Sequence, residues 1–525
     1  MSDSVPCRPD FPTPRPGVRR AWLAGSLAAV LAACGGGGGD SAPPPGPVGQ
    51  CPALAPADLA PKDGVAIADL GSDKAWVRDV LMVPNYLWYR EIPATDPAAP
   101  AFSDASSTSA AYQSLESWFD ALLTPATTPS GKAKDQFSFI YPQRAWDALS
   151  RSGSSLGYGV EWFRASPTPP RGFRVAFVTP GSPAATAGLR RGDVLVSVNG
   201  VSADAADATG VAVLNGALSP TAPCTSTFVV NRGGAVQPAV TLTAADIVSQ
   251  PVLTRQVFDG GAGTKVGYIA FTEHFGQAET QMINAVATLR AEGINDLILD
   301  LRYNGGGFLY IASQAAHMIA GAARTSGRVF EDVEFNDKRT TENAQPGSPF
   351  ASTSCIPNAD FTLCTNVQPL PTLDLPRLYV LTGRGTCSAS EAIINGLRGI
   401  DVDVRLIGSA SCGKPYGFSN TFSRSGISYF PIEFKNVNAK GFGDYADGFA
   451  PNCTVADDFT RELGDRAEAM TAAALTLRAT GACPAVANAL DDRSVRLGLP
   501  APTSGSMLRP KIRESMIRTP ALDPR

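Results

Sequence analysis

From residue 266 onward the sequence alternates between short apolar runs typical of buried strands and longer runs typical of helices. The predicted elements are the strand Val266–Phe271, the helix Gln277–Ala291, the strand Asp296–Leu301, the helix Phe308–Ala320, the strand Arg377–Leu381, the helix Ser388–Gly399 and the strand Val402–Ile407. Repeated strand–helix units indicate a sheet covered by helices, with functional residues after the C-terminal ends of the strands. The sequence therefore predicts an α/β core over residues 249–485.

The rest of the chain differs in character, so we expect a multidomain α/β protein. A length of 525 residues exceeds what one ordinary core accommodates. Residues 51–150 place apolar residues at helical spacing, which predicts an independent helical N-terminal domain. Residues 151–248 contain short runs rich in β-formers between turns and predict a β-rich domain. Residues 486–525 are polar and mixed in charge, which predicts an extended or poorly ordered tail.

The first fifty residues indicate export. An Arg19-Arg20 pair precedes an apolar run that ends in Leu-Ala-Ala-Cys34, and this run is too short to span a bilayer. It predicts a signal peptide over residues 1–33 and resembles a bacterial lipobox, which implies lipidation of Cys34. Residues 34–50 are rich in Gly and Pro and predict a tether. We expect a lipid-anchored cell-envelope protein that faces the periplasm or exterior, at the outer membrane in a Gram-negative bacterium.

Several other classes of function find no support in the sequence. The net charge is −4 and no long basic run occurs, so a nucleic-acid partner is not expected. No cysteine or histidine spacing suggests zinc, and we expect neither a metal nor an organic cofactor. The glycine-rich stretch 259–265 lacks a Gly-Lys-Ser/Thr ending and is interpreted as a hairpin turn. The oligomeric state stays open.

The β-rich domain carries a motif of unusual specificity. A short predicted helix over Pro180–Leu189 is followed by Arg191-Gly192-Asp193 and by Asn199-Gly200. This order resembles a PDZ domain. Upstream, Gly157-Tyr158-Gly159-Val160 matches the carboxylate-binding loop of that family, in which glycines let successive N–H groups converge on a carboxylate. The resemblance implies that C-terminal tails of peptides or proteins bind here as a strand added to an open sheet edge.

Two strand-to-helix junctions in the core have the composition of a catalytic site. The first runs from Leu299 into three glycines at 305–307, and the second runs from Gly383 to Glu391. Glycines at such junctions expose backbone N–H groups, which can stabilise an oxyanion. Ser388 stands at the start of the second helix, where a serine can act as a nucleophile. Ser388 and Glu391 also form a capping-box pattern, so the pattern alone leaves both interpretations open.

A lysine is the better candidate for the general base. The chain has only two histidines, His274 after a strand and His317 within an apolar helix, and both are interpreted as structural. A lysine can replace histidine where burial disfavours its charged form. Lys414 follows the strand Val402–Ile407 and is surrounded by glycine and small residues, which makes it the candidate base.

The order of these motifs resembles a known family. The pattern Asp-Leu-Arg-x-Asn-x-Gly-Gly, then Ser-Ala-Ser-Glu, then Gly-Lys about 26 residues after the serine is similar to that of the carboxy-terminal processing peptidases, also called tail-specific proteases. The resemblance covers roughly residues 70–480 and includes the segment Asp447–Asn452. It implies a serine endopeptidase that needs no cofactor and cleaves peptide or protein tails held by its PDZ domain.

The same resemblance implies roles for individual residues. Ser388 would be the nucleophile and Lys414 the general base. The N–H groups of Ala389 and of Gly306 or Gly307 would form the oxyanion hole. Many family members carry a glutamine four residues after the lysine, where this chain has Phe418, and the segment between the serine and the lysine is one residue longer.

Two further interpretations stay open at this point. One is a catalytically silent, peptide-binding scaffold of the envelope, which the departure at Phe418 would suit. The other is a non-peptidase hydrolase that uses the same Ser/Lys pair, although the PDZ-like segment favours a peptide substrate.

Eight of the ten cysteines lie after the predicted lipobox, an even number that suits disulfides in an exported protein. Cys355 and Cys364 bracket a short loop and are predicted to pair. Cys412 could pair with Cys387 or with Cys453. We favour Cys453 slightly, because a bond between the two catalytic loops would tightly constrain both catalytic side chains.

Overall fold

The computed structural model describes residues 48–55, 58–358, 362–419, 422–484 and 505–519. The predicted signal peptide, Cys34 and most of the predicted tether lie outside these stretches. Within them, no helix combines the length and apolar character needed to cross a bilayer.

Helices are the main regular structure of residues 58–152, in agreement with the spacing of their apolar residues. The α-helices and the strand of this part are Leu70–Trp76 (α1), Val83–Asn85 (α2), Thr108–Ala121 (α3), Phe139–Pro142 (β1) and Gln143–Ser152 (α4). A π-helical turn, Val77–Met82, separates α1 from α2. Ser107 begins α3 by accepting the N–H of Ala110 at 3.1 Å, which satisfies one of the unpaired donors at the helix start.

Residues 153–248 form the predicted β-rich domain. Its elements are Ser154–Gly157 (β2), Val160–Arg164 (β3), Arg174–Val178 (β4), Pro183–Thr186 (α5), Val194–Val198 (β5), Val201–Ser202 (β6), Ala208–Leu218 (α6), Thr225–Arg232 (β7), Ala235–Val236 (β8), Val240–Thr243 (β9) and Ala245–Val248 (β10). The main sheet has the order β3-β4-β5-β7-β8, and β2 pairs with β10. Trp162 and Phe228 stack in the centre of this domain with ring centroids 6.2 Å apart.

The predicted α/β core is confirmed, and its predicted elements match the structure to within about two residues. Its elements are Val252–Gly261 (β11), Thr264–Phe271 (β12), Ala278–Glu292 (α7), Asp296–Asp300 (β13), Gly307–Phe308 (β14), Leu309–Ala320 (α8), Ala322–Thr325 (α9), Val329–Phe335 (β15), Thr340–Asn343 (α10), Ser348–Pro349 (β16), Arg377–Thr382 (β17), Ala389–Gly399 (α11), Asp403–Gly408 (β18), Tyr416–Ser419 (β19), Phe422–Arg424 (β20), Ile427–Phe430 (β21), Phe434–Val437 (β22), Cys453–Thr454 (β23) and Ala469–Thr480 (α12).

The central sheet of the core sets the position of the site. Its order is β11-β12-β13-β17-β18-β23. The five strands from β12 to β23 are parallel to their neighbours, and β11 forms an antiparallel hairpin with β12 across the stretch interpreted above as a turn. Because β13 and β17 are adjacent and parallel, the two glycine-rich junctions that follow them lie side by side at one edge.

The helical N-terminal part is not an independent domain, so that prediction is wrong. Its strand β1 pairs antiparallel with β21 of the core, and its apolar residues belong to the same buried cluster as those of the α/β core. The ring of Tyr429 in β21 lies 5.3 Å from Trp76 and 6.3 Å from Phe119, centroid to centroid. The apolar faces of the helices are therefore buried against the core rather than against each other alone.

The prediction of an extended or poorly ordered tail is wrong for residues 505–519. They contain Ser506–Met507 (β24), a 3₁₀ turn over Lys511–Glu514 and Met516–Arg518 (β25). Strand β24 extends the PDZ-like sheet beside β3, and β25 lies between β14 and β19 in a second core sheet. Ile512, Met516 and Ile517 are fully buried. Because these residues lie among charged ones, composition alone does not reveal their burial.

Candidate active site

Ser388 begins helix α11 in a conformation that few non-glycine residues adopt. Its φ angle is +63° and its side chain is fully buried. Such a left-handed residue costs free energy that the surrounding structure must supply, and residues of this kind cluster at functional sites. The hydroxyl oxygen makes no hydrogen bond within the described residues.

The glycine-rich loop after β13 faces this serine. A Cβ placed on Gly306 would lie 2.9 Å from Ser388 Cβ and 3.0 Å from the backbone nitrogen of Ala389. Gly306 also has a φ angle of +115°, so only glycine fits there without strain. The two junctions thus come into direct contact, and two of the expected oxyanion residues, Gly306 and Ala389, lie beside the serine.

Asn304 fixes the shape of this loop, a role that sequence reasoning missed. Its side-chain oxygen accepts the N–H of Gly306 at 3.0 Å and lies 3.0 Å from Nδ1 of His274. Its carbonyl accepts the N–H of Cys387 at 3.1 Å and the hydroxyl of Ser390 at 3.0 Å. Asn304 therefore connects the glycine-rich loop after β13, the proposed oxyanion loop, with the serine loop. Its place in the Asp-Leu-Arg-x-Asn motif was the available signal.

Lys414 is buried and lies in a largely aromatic pocket. Its Nζ lies 5.0 Å from the ring centroid of Phe137 and 4.5 Å from that of Phe418. Burial lowers the pKa of Lys414 from its ordinary value to about 7, although the acidic groups nearby, Glu514 first, oppose this shift. The amine donates a hydrogen bond to the carbonyl of Glu514 at 2.7 Å and none to Ser388.

Glu391 connects the serine to the loop that carries the lysine. Its carboxylate accepts the N–H of Ser388 at 3.0 Å, as a capping box requires. It also accepts the N–H of Lys414 at 2.8 Å, the N–H of Gly413 at 2.9 Å and the hydroxyl of Ser411 at 2.6 Å. Burial raises the pKa of Glu391, and these hydrogen bonds oppose the rise. The carboxylate that caps helix α11 therefore also holds the loop that carries Lys414. The sequence pattern did not reveal this connection.

A disulfide reinforces this junction and corrects one prediction. Cys387 pairs with Cys412, whereas the slightly favoured partner, Cys453, pairs with Cys483. The reason is local, since the N–H of Cys412 donates to the carbonyl of Thr386 at 3.0 Å and brings the two loops together. The predicted pairing of Cys355 with Cys364 is confirmed, and the remaining bond joins Cys51 to Cys224.

A buried ionic network supports the oxyanion loop from behind. Arg302 contacts Asp300 at 2.9 Å, Asp457 at 2.7 Å and Glu468 at 2.8 Å, and all four side chains are buried or nearly so. Arg191 of the β-rich domain reaches the same Asp457 at 2.6 Å. A charge from the neighbouring domain is therefore part of the network that holds the loop.

The four residues of the proposed carboxylate-binding loop lie at the start of β3. Gly157 ends β2, and Gly159 has a φ angle of +75° and packs against Ser182. The carbonyls of Tyr158 and Gly159 accept N–H groups at 3.0 and 2.8 Å, and the Tyr158 ring points into the domain core. Val160 begins β3. The loop is therefore held rigidly at one end of that strand.

Both histidines make structural contacts, as expected. His274 is fully buried, and burial lowers its pKa to about 4. Its Nδ1 faces Asn304 and its backbone N–H donates to the carbonyl of Gly306 at 2.9 Å. Nδ1 of His317 lies 2.7 Å from the hydroxyl of Thr325. Neither ring forms a hydrogen bond with Ser388.

A buried serine at a helix start, beside a glycine-rich loop and in a chain with a PDZ-like domain, is the arrangement expected of PDZ-containing serine peptidases. Comparison with known families makes the assignment specific. Residues 265–428 match Peptidase family S41 and residues 174–212 match the PDZ domain. The chain thus has an S41 peptidase core and a PDZ domain, and the resemblance to the carboxy-terminal processing peptidases is confirmed.

Individual relatives agree with this assignment. The chain is 32% identical to carboxyl-terminal-processing peptidase 2 of Arabidopsis thaliana over 164 residues, which cover 30% of each protein. It is 28% identical to a carboxyl-terminal-processing protease of Synechocystis over 235 residues, or 45% of this chain and 47% of the relative. The chain therefore spans about half or less of these relatives.

A solved structure shares the fold. A structure described as an S41 protease of Bacteroides fragilis aligns with this chain at a TM-score of 0.55 and 22% sequence identity. The alignment covers 77% of this chain and 96% of the Bacteroides fragilis chain.

Proposed function

We propose that this chain is a serine endopeptidase in which Ser388 is the nucleophile and Lys414 the general base. The observation that carries the proposal is the buried lysine, whose pKa of about 7 leaves a large neutral fraction at physiological pH. Glu391 accepts backbone N–H groups from both catalytic residues. A neutral amine and a reactive hydroxyl are therefore held on loops that share one buried carboxylate.

The reaction would proceed through an acyl-enzyme. Ser388 Oγ attacks the carbonyl carbon of the scissile bond while Lys414 Nζ takes the hydroxyl proton. Cleavage of the C–N bond releases the amine, which receives that proton from the lysine, and water then hydrolyses the ester with the lysine again acting as base. Because the amine binds the carbonyl of Glu514 in this structure, the first step requires it to leave that carbonyl.

The oxyanion would be held by two backbone N–H groups. The N–H of Gly306 already donates to Asn304 at 3.0 Å, which favours the N–H of Gly307 as the donor from this loop. Ala389 follows the nucleophile directly, at the positive end of helix α11. Donors that are fixed before the reaction stabilise developing negative charge without reorganisation.

The substrate would be a peptide or protein C-terminal tail that the PDZ domain captures. The loop of Gly157 to Val160 would bind the terminal carboxylate, and the tail would extend along β3. A labelled peptide with a free carboxylate should bind more tightly than the same peptide with a terminal amide. Equal affinities of the two peptides would argue against carboxylate capture.

Activity tests distinguish this proposal from the alternatives. A digest of envelope proteins with wild type should yield new termini that are absent with Ser388→Ala and with Lys414→Met. Ser390→Ala removes a hydroxyl that donates to Asn304 and is the matched control, with turnover reduced no more than about tenfold. Full activity of Ser388→Ala would refute the mechanism.

A silent peptide-binding scaffold is the second candidate. One observation favours it, since Ser388 and Lys414 are not hydrogen-bonded to each other. It predicts that wild type cleaves no peptide while it still binds C-terminal tails. Turnover of a small ester without turnover of any peptide would instead favour a non-peptidase hydrolase.

We also propose that the chain is a lipid-anchored protein of the cell envelope, held through Cys34. The support is the lipobox-like sequence at 31–34. A fatty-acid analogue should label wild type in cells but not Cys34→Ser, and the variant should leave the membrane fraction. Unchanged labelling of Cys34→Ser would contradict the anchor.

A further inference from the structure

The 505–519 segment runs along the PDZ sheet and then enters the active site. Strand β24 pairs antiparallel with the C-terminal end of β3, and the N–H of Leu508 donates to the carbonyl of Trp162 at 2.8 Å. This is the strand next to the carboxylate-binding loop, on the edge where a peptide would be added. The chain's own residues therefore occupy part of the edge proposed for substrate.

Charged side chains hold the next part of the segment against both domains. Arg509 donates to the carbonyl of Tyr303 at 2.7 Å and to that of Gly385 at 2.9 Å, one in each glycine-rich junction. Arg513 forms an ion pair with Glu161 of β3 at 2.8 Å. These contacts direct the chain from the PDZ domain across the two junctions.

The segment then presents two consecutive carbonyls to the catalytic groups. The carbonyl of Glu514 accepts the Lys414 amine at 2.7 Å. The carbonyl of Ser515 accepts the N–H of Gly307 at 2.5 Å, and Gly307 is the proposed oxyanion donor. Ser515 is therefore the residue whose carbonyl lies where a scissile carbonyl is expected.

The nucleophile lies beside the same carbonyl. A Cβ placed on Gly306 would come within 3.0 Å of Ser388 Cβ, of the Ala389 nitrogen and of the Ser515 oxygen. These three atoms therefore converge on one small space. Ser388 and Ser515 are both fully buried, so bulk water has no direct access to the contact.

The residues after this carbonyl are bound as an extended strand. Strand β25 pairs in parallel with β14 on one side and with β19 on the other, and both of these strands flank the catalytic groups. Met516 and Ile517 have no exposed surface. Backbone pairing on both sides together with buried side chains fixes this part of the chain in one position.

We propose that the Ser515–Met516 peptide bond is a substrate of this active site and is cleaved within the same molecule. The proposal rests on the proposed function. Ser388 Oγ bonds to the carbonyl carbon of Ser515, and Lys414 takes the hydroxyl proton as its amine leaves Glu514. The C–N bond to Met516 breaks, and the Met516 amine receives the proton. Once strand β25 has left, water enters and hydrolyses the ester, which leaves Ser515 with a free carboxylate and regenerates the hydroxyl.

Self-cleavage would also determine when the enzyme can act on other proteins. While the segment is intact, it fills the position where a substrate carbonyl must bind. Cleavage breaks the connection between β25 and the residues before it. A peptide substrate could then replace the strand.

Intact mass and peptide mapping of the purified full chain test the proposal. Wild type should lack the residues from Met516 onward and end at Ser515, whereas Ser388→Ala and Lys414→Met should both retain them. Cleavage at Ser515 in both variants would show the action of another protease and overturn the proposal. A wild type that turns over a peptide in trans but keeps its Ser515–Met516 bond would also overturn it, while the proposed function would stand.

A mixing experiment tests whether the cleavage is intramolecular. Tagged full-length Ser388→Ala is incubated with wild type at equal, low concentration. The tagged chain should stay intact, because its own segment faces only its own disabled site. Cleavage of the tagged chain at Ser515–Met516 would show an intermolecular reaction and overturn the proposal of cleavage within one molecule. Loss of all peptide turnover by wild type would instead refute the proposed function itself.

Discussion

The proposed role of Lys414 as a general base depends on its surroundings, because a lysine with an ordinary pKa would be almost fully charged at neutral pH. Its pKa of about 7 arises mainly from burial. Only the neutral amine accepts a proton, so kcat/KM should rise about tenfold per pH unit below pH 7 and level off above it. A pH–rate profile with a short peptide substrate measures this midpoint.

Two results would contradict this interpretation of Lys414. A midpoint near pH 10 would show that the amine is solvated during catalysis, and a flat profile between pH 5 and 9 would show that no such base acts. Lys414→Arg serves as the control, because a guanidinium remains charged at these pH values and should abolish turnover.

Phe418 takes the place of the glutamine that many family members carry, and its ring lies 4.5 Å from the lysine amine. The ring excludes water, which favours the neutral amine, and also attracts a cation, which opposes this effect. Because burial is the larger influence on the lysine pKa, Phe418→Ala should admit water and move the midpoint of the pH–rate profile upward by about one unit.

The exposed Phe442 provides the matched control for Phe418. Phe442→Ala should leave the midpoint unchanged. A downward shift in Phe418→Ala would mean that the ring acts chiefly as a cation partner rather than as a barrier to water.

The sequence indicated candidate catalytic residues but not the residues that hold them in place. Ser388 and Lys414 were predicted from their positions after predicted strands and from the order of the motifs, and their roles stay predictions. Asn304 was visible only as a position in the predicted motif, and Glu391 only as part of a capping box. Most of their partners lie far from them in sequence, and residue spacing does not predict contacts between loops. Ser515 gave no signal at all.

At the scale of elements, the start of helix α11 and the loop before β19 behave as one unit. The Glu391 carboxylate receives four hydrogen bonds and the disulfide of Cys387 with Cys412 crosses the same gap. A neutral amide offers a single acceptor oxygen. Glu391→Gln should therefore lower the free energy of unfolding by about 3 kcal/mol, and displacement of the catalytic groups should lower kcat by about 100-fold. Thermal melting and steady-state kinetics measure the two effects.

Ser411→Ala is the comparison for Glu391→Gln, because it removes one of the four donors to Glu391. Its loss of stability should be smaller, about 1 kcal/mol. If Glu391→Gln raised KM and left kcat unchanged, Glu391 would contribute to substrate binding rather than to the positioning of the catalytic groups.

At the scale of the whole molecule, the regions are interleaved rather than consecutive. Strand β1 pairs with β21, β25 lies between β14 and β19, and β24 extends the PDZ sheet. The fold class and the order of the core elements followed from local periodicity. These pairings did not, because a strand's own pattern shows which face is buried but not which distant strand lies beside it.

Arg191 joins the PDZ domain directly to the peptidase core. Its guanidinium contacts Asp457 at 2.6 Å and the hydroxyl of Tyr303 at 2.5 Å, and Tyr303 belongs to the oxyanion loop. Without Arg191, the buried charge of Asp457 is balanced, among the described residues, only by Arg302, and losing one partner from such a buried network should cost about 3 kcal/mol. Arg191→Ala should therefore lower the melting temperature by several degrees and reduce kcat/KM, since the loop loses support.

The neighbouring Arg190 offers a matched control, because it is exposed and makes no ion pair within the described residues. Arg190→Ala should melt and turn over substrate like wild type. If Arg191→Ala lowered the melting temperature but left turnover unchanged, the contact would only join the domains. Loss of tail capture alone would appear as weaker peptide binding. A fall in kcat that exceeds any change in peptide affinity would therefore show that the PDZ domain acts on the geometry of the oxyanion loop.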